Sequence, residues 1–490
     1  SETTRRLAPT LVNVVDLKLF ETTNSSTLSQ GLNFQPGVRV ETNCQNCGFQ
    51  QVRINGLDGP YTQILIDSRP VFSALSGVYG LEQIPASMIE RVEVMRGGGS
   101  ALFGSSAIAG TINIITKEPL RNSGQLSHTL TALGGGSSFD NNTSLNASLV
   151  TDDHRAGLYI FGQNRHRSGY DYDGDGFTEL PKLKNQTVGF RSYLKTSTYS
   201  KLTFEYHHMQ EFRRGGDMLD RPPHEAHIAE QLQHSIDGGS LKFDYFSPDE
   251  KNRLSIFASA ANTDRDSYYG PGNDPLKAYG KTTDLTAMGG AQYVHTFDKC
   301  FFMPSDLTAG LEYNRDRLKD NMWGYDRHTD QTVNIYSAFL QNEWKNDRWG
   351  ILIGGRLDKH NMVDNVIFSP RANLRFNPTQ NINLRLSYSS GFRAPQAFDE
   401  DMHIENVGGT VAMIERAKNL KEEKSQSFSA SADMYHRFGV FQTNFLIEGF
   451  YTRLTDVFVL GEPYDRGDGI LVKTRSNGPG AKVMGLTLEG

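Results

Sequence analysis

Long apolar runs are missing from this chain of 490 residues. Hydrophobic residues make up 37%, mean hydropathy is -0.49, and no stretch reaches the roughly 18 apolar residues of a membrane-spanning helix. Positive charge is not in excess either: the net charge is -6 and the pI near 6.1, which excludes a basic face for nucleic acid. Cysteine is scarce, at three residues, and Cys44 and Cys47 have no second CxxC or clustered histidines beside them to complete a zinc site. The motifs of enzymes are absent as well. There is no GxSxG and no HExxH, and His224-Glu225-Ala226-His227 lacks the spacing that turns two imidazoles toward one metal. Gly97 to Ser100 lack the lysine and spacing of a phosphate-binding loop, so nothing binds nucleotide. With no paired carboxylates that can be placed in a cleft, the chain reads as a non-enzyme.

What is present is β-structure. Ile89, Val92 and Val94 read as a short buried strand, Gly97, Gly98 and Gly99 permit a tight turn, and Ile112, Ile114 and Ile115 open a second strand. From about residue 124 the texture changes to aromatic-rich runs of period two. Leu202, Phe204 and Tyr206, then Leu241, Phe243 and Tyr245, then Leu384, Leu386 and Tyr388 alternate with Thr203, Glu205, Lys242, Asp244 and Arg385. About seventeen candidate strands follow, with long loops over 212–238, 262–286 and 396–424 and short turns near Ser200, Asp347 and Gln380. This pattern predicts a transmembrane β-barrel. Only alternate residues of such strands face lipid, so hydropathy does not reveal them.

The segment Ile89-Glu90-Arg91-Val92-Glu93-Val94, followed by Arg96-Gly97, Phe103-Gly104 and Ala109-Gly110-Thr111-Ile112-Asn113-Ile114-Ile115, resembles the plug domain of TonB-dependent outer-membrane receptors. Val52 to Gly56 and Ile64 to Val71 resemble two earlier strands of that domain, while Gly98 and Ala109 depart from the family's usual Pro and Gly. The resemblance implies a transmembrane antiparallel β-barrel, of about 22 strands in the full protein, with an N-terminal mixed α/β plug in its lumen. The plug is expected over residues 1–119 and the barrel over 120–490, in the outer membrane of a Gram-negative bacterium. It also implies an active transporter in contact with membrane lipid that imports a large scarce solute without a required cofactor. The energising partner is the TonB-ExbB-ExbD complex, which captures an N-terminal box as an added strand. No such box precedes Leu11, and Ser1 to Arg6 are too polar for a signal peptide, so the protein is expected to begin upstream. Gly485 to Gly490 resemble a GxExEG-type internal strand with Thr487 at the first acidic place, so the chain is expected to be incomplete at its C-terminus.

For the solute, Gly391, Phe392, Arg393, Ala394 and Pro395 resemble the FRAP box of haem receptors, and Asn419 with Leu420 resemble their second box. His403 stands where such receptors place an axial ligand. Yet no histidine precedes His128 in the plug, and Lys418 replaces an expected Pro. The run GFRAPQAFDEDMHI and the DGDGF loop look most like cobalamin (vitamin B12) receptors. Cobalamin or a related corrinoid is therefore the first expectation, haem the second, a ferric siderophore the third, and a non-transporting surface module the last. Contacts are expected from an apical plug loop with Arg69, Phe72, Leu75, Ser76 and Tyr79, from the turn with Asp58, Pro60 and Tyr61, and from Phe392, Arg393 and His403. A surface lipoprotein is a further partner the resemblance allows.

Asp171, Asp173, Asp175 and Glu179 supply oxygens at alternate positions with Gly176 at the sixth place, like the first half of an EF-hand loop. Lys182 occupies the twelfth place, so the loop is either a solvated acidic turn or a calcium-ordered one completed from elsewhere. The Cys44-Cys47 pair can be a redox dithiol, half a zinc site or a small disulfide. The oxidising envelope that the resemblance implies favours the disulfide.

Overall fold

The computed structural model describes residues 7–490 apart from 45–47, 70–83, 98–103, 105–106, 272–277 and 408–409. The first part of the chain forms β1 (Val12–Asp16), α1 (Leu17–Thr22), α2 (Leu28–Leu32), β2 (Val38–Cys44), β3 (Phe49–Ile54), β4 (Thr62–Ile66), β5 (Ile89–Arg96) and β6 (Gly110–Thr116). Four of these strands make one sheet in the order β1-β5-β6-β4, and β2 pairs with β3 separately. Val92 and Val94 sit opposite Ile114 and Ile112 across the antiparallel β5-β6 pair. That register puts all four on the face that buries Phe20, Leu28, Leu32, Ile54 and Ile66. Each such side chain contributes about 1.5–3 kcal/mol when fully buried. Asp16 ends β1 and starts α1 by accepting the Leu19 N–H at 3.0 Å. Gly110 is needed for a close approach: a Cβ there would stand 2.3 Å from the Met95 carbonyl oxygen.

After Thr116 the chain leaves this sheet, and from Ser123 it enters a second one. Its strands are β7 (Ser123–Leu133), β8 (Ser138–Val150), β9 (Ala156–Arg167), β10 (Lys182–Ser197), β11 (Ser200–Gly216), β12 (Ile228–Phe246), β13 (Asn252–Pro271), β14 (Tyr279–Cys300), β15 (Met303–Met322), β16 (Arg327–Lys345), β17 (Trp349–His360), β18 (Ile367–Thr379) and β19 (Ile382–Arg393). A long connection holds α3 (Asp399–Met402), β20 (Glu405–Val407) and β21 (Thr410–Arg416) before the sheet resumes with β22 (Glu423–Phe438) and β23 (Phe441–Thr455). A second connection holds β24 (Phe458–Leu460), β25 (Tyr464–Asp465) and β26 (Leu471–Asn477), and β27 (Ala481–Glu489) follows. The sheet has sixteen strands, each antiparallel to its neighbours, with β7 and β27 at its two ends. Plugged outer-membrane transporters have about 22.

Period two sorts the side chains. Leu126, Leu311, Tyr336, Ile353, Phe368 and Leu386 point outward and are exposed, while Arg165, Arg213, Arg265, Arg371, Arg375 and Arg385 point inward and are buried. An apolar outer band around a charged interior is the inverse of a soluble core, as a membrane barrel requires. Connections at one end are short, such as 198–199, 301–302, 380–381 and 439–440, and Tyr199, Phe246, Phe301, Phe302, Trp349 and Phe441 expose aromatic rings there. At the other end lie the long connections 168–181, 217–227, 394–422 and 456–480.

Two expected loops are largely strand. The segments 212–238 and 262–286 carry pairing through Gly216, Ile228, Pro271 and Tyr279, so β11 to β14 project past the apolar band. Polar residues on both faces disguised them as loops, but beyond the membrane a strand has no lipid face to mark.

Candidate functional site

The two longest connections do not hang free. Strands β20, β21, β24, β25 and β26 form a small sheet of their own, with β21 and β26 parallel. Ile404, Val411, Met413, Ile470 and Val472 from this sheet and its approach pack on Ala229, Leu232, Tyr268, Tyr269, Met322 and Tyr325 of the projecting strands and turns. The long-loop end of the lumen is thus lined by a folded element rather than by loose chain.

Beneath it the plug meets the barrel through charge. Tyr61 donates its hydroxyl to Glu423 at 2.9 Å, and the Phe458 N–H donates to the same carboxylate. Burial first, then the Glu423 charge, raises the Tyr61 phenol far above its ordinary value, so it remains a donor. Arg393 lies over the Phe398 ring at 4.0 Å and beside Tyr61 at 5.6 Å, pairing with Glu400 at 2.7 Å and Glu423 at 3.6 Å. Arg475 of β26 binds Glu400 at 2.9 Å and Asp401 at 2.8 Å, tying the loop sheet to α3. Burial raises the Glu400 carboxyl, but Arg393 and Arg475 outweigh it and hold the group below its ordinary value. Asp399 faces Arg265 at 2.8 Å, yet complete burial pushes its carboxyl up to about 6.

Of the residues expected to meet solute, Tyr61 and Arg393 come together here. Phe392 does not join them: it faces outward and is buried among Val363, Ile367 and Ala394. His403 stands against the Tyr269 ring at 5.3 Å, with Nε2 3.6 Å from Glu230. Arg69 is not apical. Its guanidinium lies over Phe257 at 4.2 Å, five residues into β13 from the short-turn end. A plug turn that leaves β4 toward that end carries it there. Phe72, Leu75, Ser76 and Tyr79 lie outside the described residues, as does Cys47, so neither that loop nor the Cys44-Cys47 pairing is described. Cys300 is a free thiol at the short-turn end.

Asp171, Asp173, Asp175 and Glu179 do converge, on the connection after β9, with one oxygen from each within 4.8 Å of the others. Calcium holds oxygens at about 2.3–2.6 Å, so two ligands on opposite sides of one ion lie about 5 Å apart, and the cluster has that span. Turns hold it open: Asp171 accepts the N–H groups of Gly174 at 2.7 Å and Gly176 at 2.9 Å, and Asp175 that of Phe177 at 2.8 Å.

The sequence reading missed the contacts that seat the plug. Arg96 is buried between Glu448 of β23 at 3.0 Å and Glu489 of β27 at 2.8 Å, and also donates to the Pro36 carbonyl at 3.1 Å. Arg371 donates to Thr10 at 2.5 Å and Arg385 to the Ala8 carbonyl at 3.2 Å. Across the lumen Arg191 of β10 holds Asp67 at 2.7 Å, Glu118 at 3.1 Å and Glu205 at 2.9 Å. Inward alternation marked these barrel positions as polar, but only register names their partners.

Sequence comparison agrees with this architecture. Residues 4–111 match the family described as TonB-dependent Receptor Plug Domain, and residues 111–490 match TonB dependent receptor-like, beta-barrel. The chain belongs to the TonB-dependent receptors, whose barrels lie in the outer membrane of Gram-negative bacteria. It is 24% identical over 402 residues to the vitamin B12 transporter BtuB of Vibrio vulnificus, covering 79% of this chain and 60% of that protein. It is 26% identical over 408 residues to the iron-regulated outer membrane virulence protein of Vibrio cholerae, covering 79% and 58%. The chain thus spans about 60% of the length of these curated relatives. Its fold is similar to the siderophore receptor PirA of Pseudomonas aeruginosa, with a TM-score of 0.78 and 17% identity over 97% of this chain and 80% of that one. It is also similar to the ferric enterobactin receptor PfeA of the same organism, with a TM-score of 0.80 and 18% identity over 99% and 77%.

Proposed function

We propose that the protein is an active outer-membrane transporter, in which TonB pulls on the plug to admit a large, scarce solute. One observation carries this reading: the plug is tied to the wall by ion pairs at Arg96 and Arg191 and by the Tyr61–Glu423 hydrogen bond, with a smaller apolar contact where Tyr159, Phe161 and Leu454 of the wall join its core. Polar ties of this kind favour movement of the plug, because water can replace ion pairs and hydrogen bonds as they part, whereas it cannot replace apolar packing. The preferred solute is cobalamin or a related corrinoid. The relative that transports vitamin B12 and the converging Asp171–Glu179 carboxylates support it. A calcium ion shared by those carboxylates would order the connection at the long-loop end. A ferric siderophore is the second reading, favoured by the iron-regulated relative. Haem ranks third, because His403 Nε2 is turned to Glu230.

The test is uptake of labelled cyanocobalamin, ferric enterobactin and haemin by cells expressing the full-length receptor, with and without TonB. TonB-dependent uptake of cyanocobalamin alone is expected. Uptake of none would refute transport, and uptake of ferric enterobactin alone would replace the corrinoid.

A further inference from the structure

The plug is not held evenly. Along β18, β19 and β23 the wall grips the plug closely, with Arg371 and Arg385 on the N-terminal segment and Glu448 on Arg96, and the cavity left there is about 20 Å³. Along β10 to β13 small and large inward residues are mixed. Ser240 and Ser259 face inward directly opposite each other, whereas Phe161 and His207 fill the places beside Gly189 and Gly238. A cavity of about 630 Å³ separates this wall, Ser240 and Ser259 included, from the plug face carrying Ser68, Arg69 and Lys117. That is the size of a small-molecule site. Its lining mixes Ile115 of the plug and Phe161 and Phe190 of the wall with Lys201 and Lys242, so it suits a solute that carries both apolar and hydrogen-bonding surface. Within it, Arg191 is the ion-pair knot between wall and plug, gathering Asp67 and Glu118 from the plug and Glu205 from the wall.

We infer that the solute passes the plug along the β10–β13 wall, through this cavity, with the Arg191 knot as the contact that must release. The inference rests on the transport reading above and adds the side on which passage occurs. On the β18–β23 side the plug and wall are in close contact with little space between them, whereas on this side a preformed space lies beside contacts that water can replace, with the Arg191 cluster foremost.

The test fills the cavity after folding, so that misfolding cannot imitate a block. Ser259→Cys is made in a Cys300→Ser background, expressed in cells, and labelled with a bulky maleimide, with the Cys300→Ser receptor treated alike as the blank. The probe is whichever of cyanocobalamin, ferric enterobactin or haemin the unlabelled receptor takes up. Labelling is expected to cut uptake about tenfold or more, equivalent to raising the barrier by at least about 1.4 kcal/mol, while surface binding of the probe stays unchanged. Ser259→Trp should do the same, and Ser259→Ala should leave uptake intact. Undiminished uptake after complete labelling overturns the route and leaves transport standing. Absence of uptake by the unlabelled receptor overturns transport, and the route with it.

Discussion

Replacing Arg96 by Met isolates the energetics of the plug's seat. The Arg96 side chain is 1% exposed and Glu448 2%, so the substitution removes the cation from a carboxylate that water does not reach, while Glu489 is 16% exposed and can rehydrate. Breaking one side of a buried pair costs about 3–5 kcal/mol, mainly as the penalty of the stranded charge. At about 1.4 kcal/mol per decade, the detached population rises by roughly a hundredfold to several thousandfold. Hydrogen exchange of the β5 and β6 amides in the detergent-solubilised receptor reads this directly, because detachment exposes the plug without unfolding the barrel. Adding Glu448→Leu removes the stranded charge and should restore most of the lost protection, since apolar replacement of a buried pair is commonly neutral. Native-like exchange in Arg96→Met would refute the argument that this pair seats the plug. A double variant as labile as the single one would place the loss in packing instead of charge.

Tyr61→Phe removes one hydrogen bond to an ionised acceptor, worth about 1.5–3 kcal/mol, while Glu423 keeps the Phe458 N–H; faster exchange confined to residues 57–62 is the expected result. Asp399 has a folded-state pKa of about 6, above its ordinary 3.8, so its ionisation opposes folding above about pH 6 and that penalty, on the order of 3 kcal/mol, disappears as pH falls toward 3.8. Exchange in residues 396–404 should therefore slow between pH 7 and 5.5, and Asp399→Asn should abolish that change; an unaltered pH response in the variant would assign it elsewhere. Asp173→Ala should weaken calcium binding by the 168–181 connection, measured by calorimetry and by the loss of calcium-dependent solute affinity, whereas identical affinity in chelator and in calcium would leave the cluster a solvated turn.

Much of the fold was legible because it rests on local patterns. Strands β5 and β6 could be read from Ile89, Val92, Val94 and Ile112 to Ile115, since burial on one face of a short sheet selects them in any context, while Gly98 and Gly99 of the expected glycine turn lie outside the described residues. Period two likewise marked strands where one face meets lipid. It failed for 212–238 and 262–286, where strands project into water and lose the apolar face that makes them visible. Convergence of the Asp171–Glu179 carboxylates was also legible, being made within a single turn.

The site was only partly so. Phe392 and Arg393 are adjacent in sequence and were read together, but the strand's alternation sends Phe392 into outer packing and Arg393 into the lumen. Arg69 was expected in an apical plug loop, whereas the direction of β4 carries it to the Phe257 side. Sequence by itself determined the family, the sheet-forming periodicity and which barrel positions face inward, because these follow from each residue's immediate neighbours and from the two-residue repeat of a strand. Tertiary structure decided which charges meet: Tyr61 reaches Glu423 across 362 residues and Arg96 reaches Glu489 across 393. Such partners depend on the register of sixteen strands and on the plug's seating within them, and a shift of one residue would turn every inward charge to lipid.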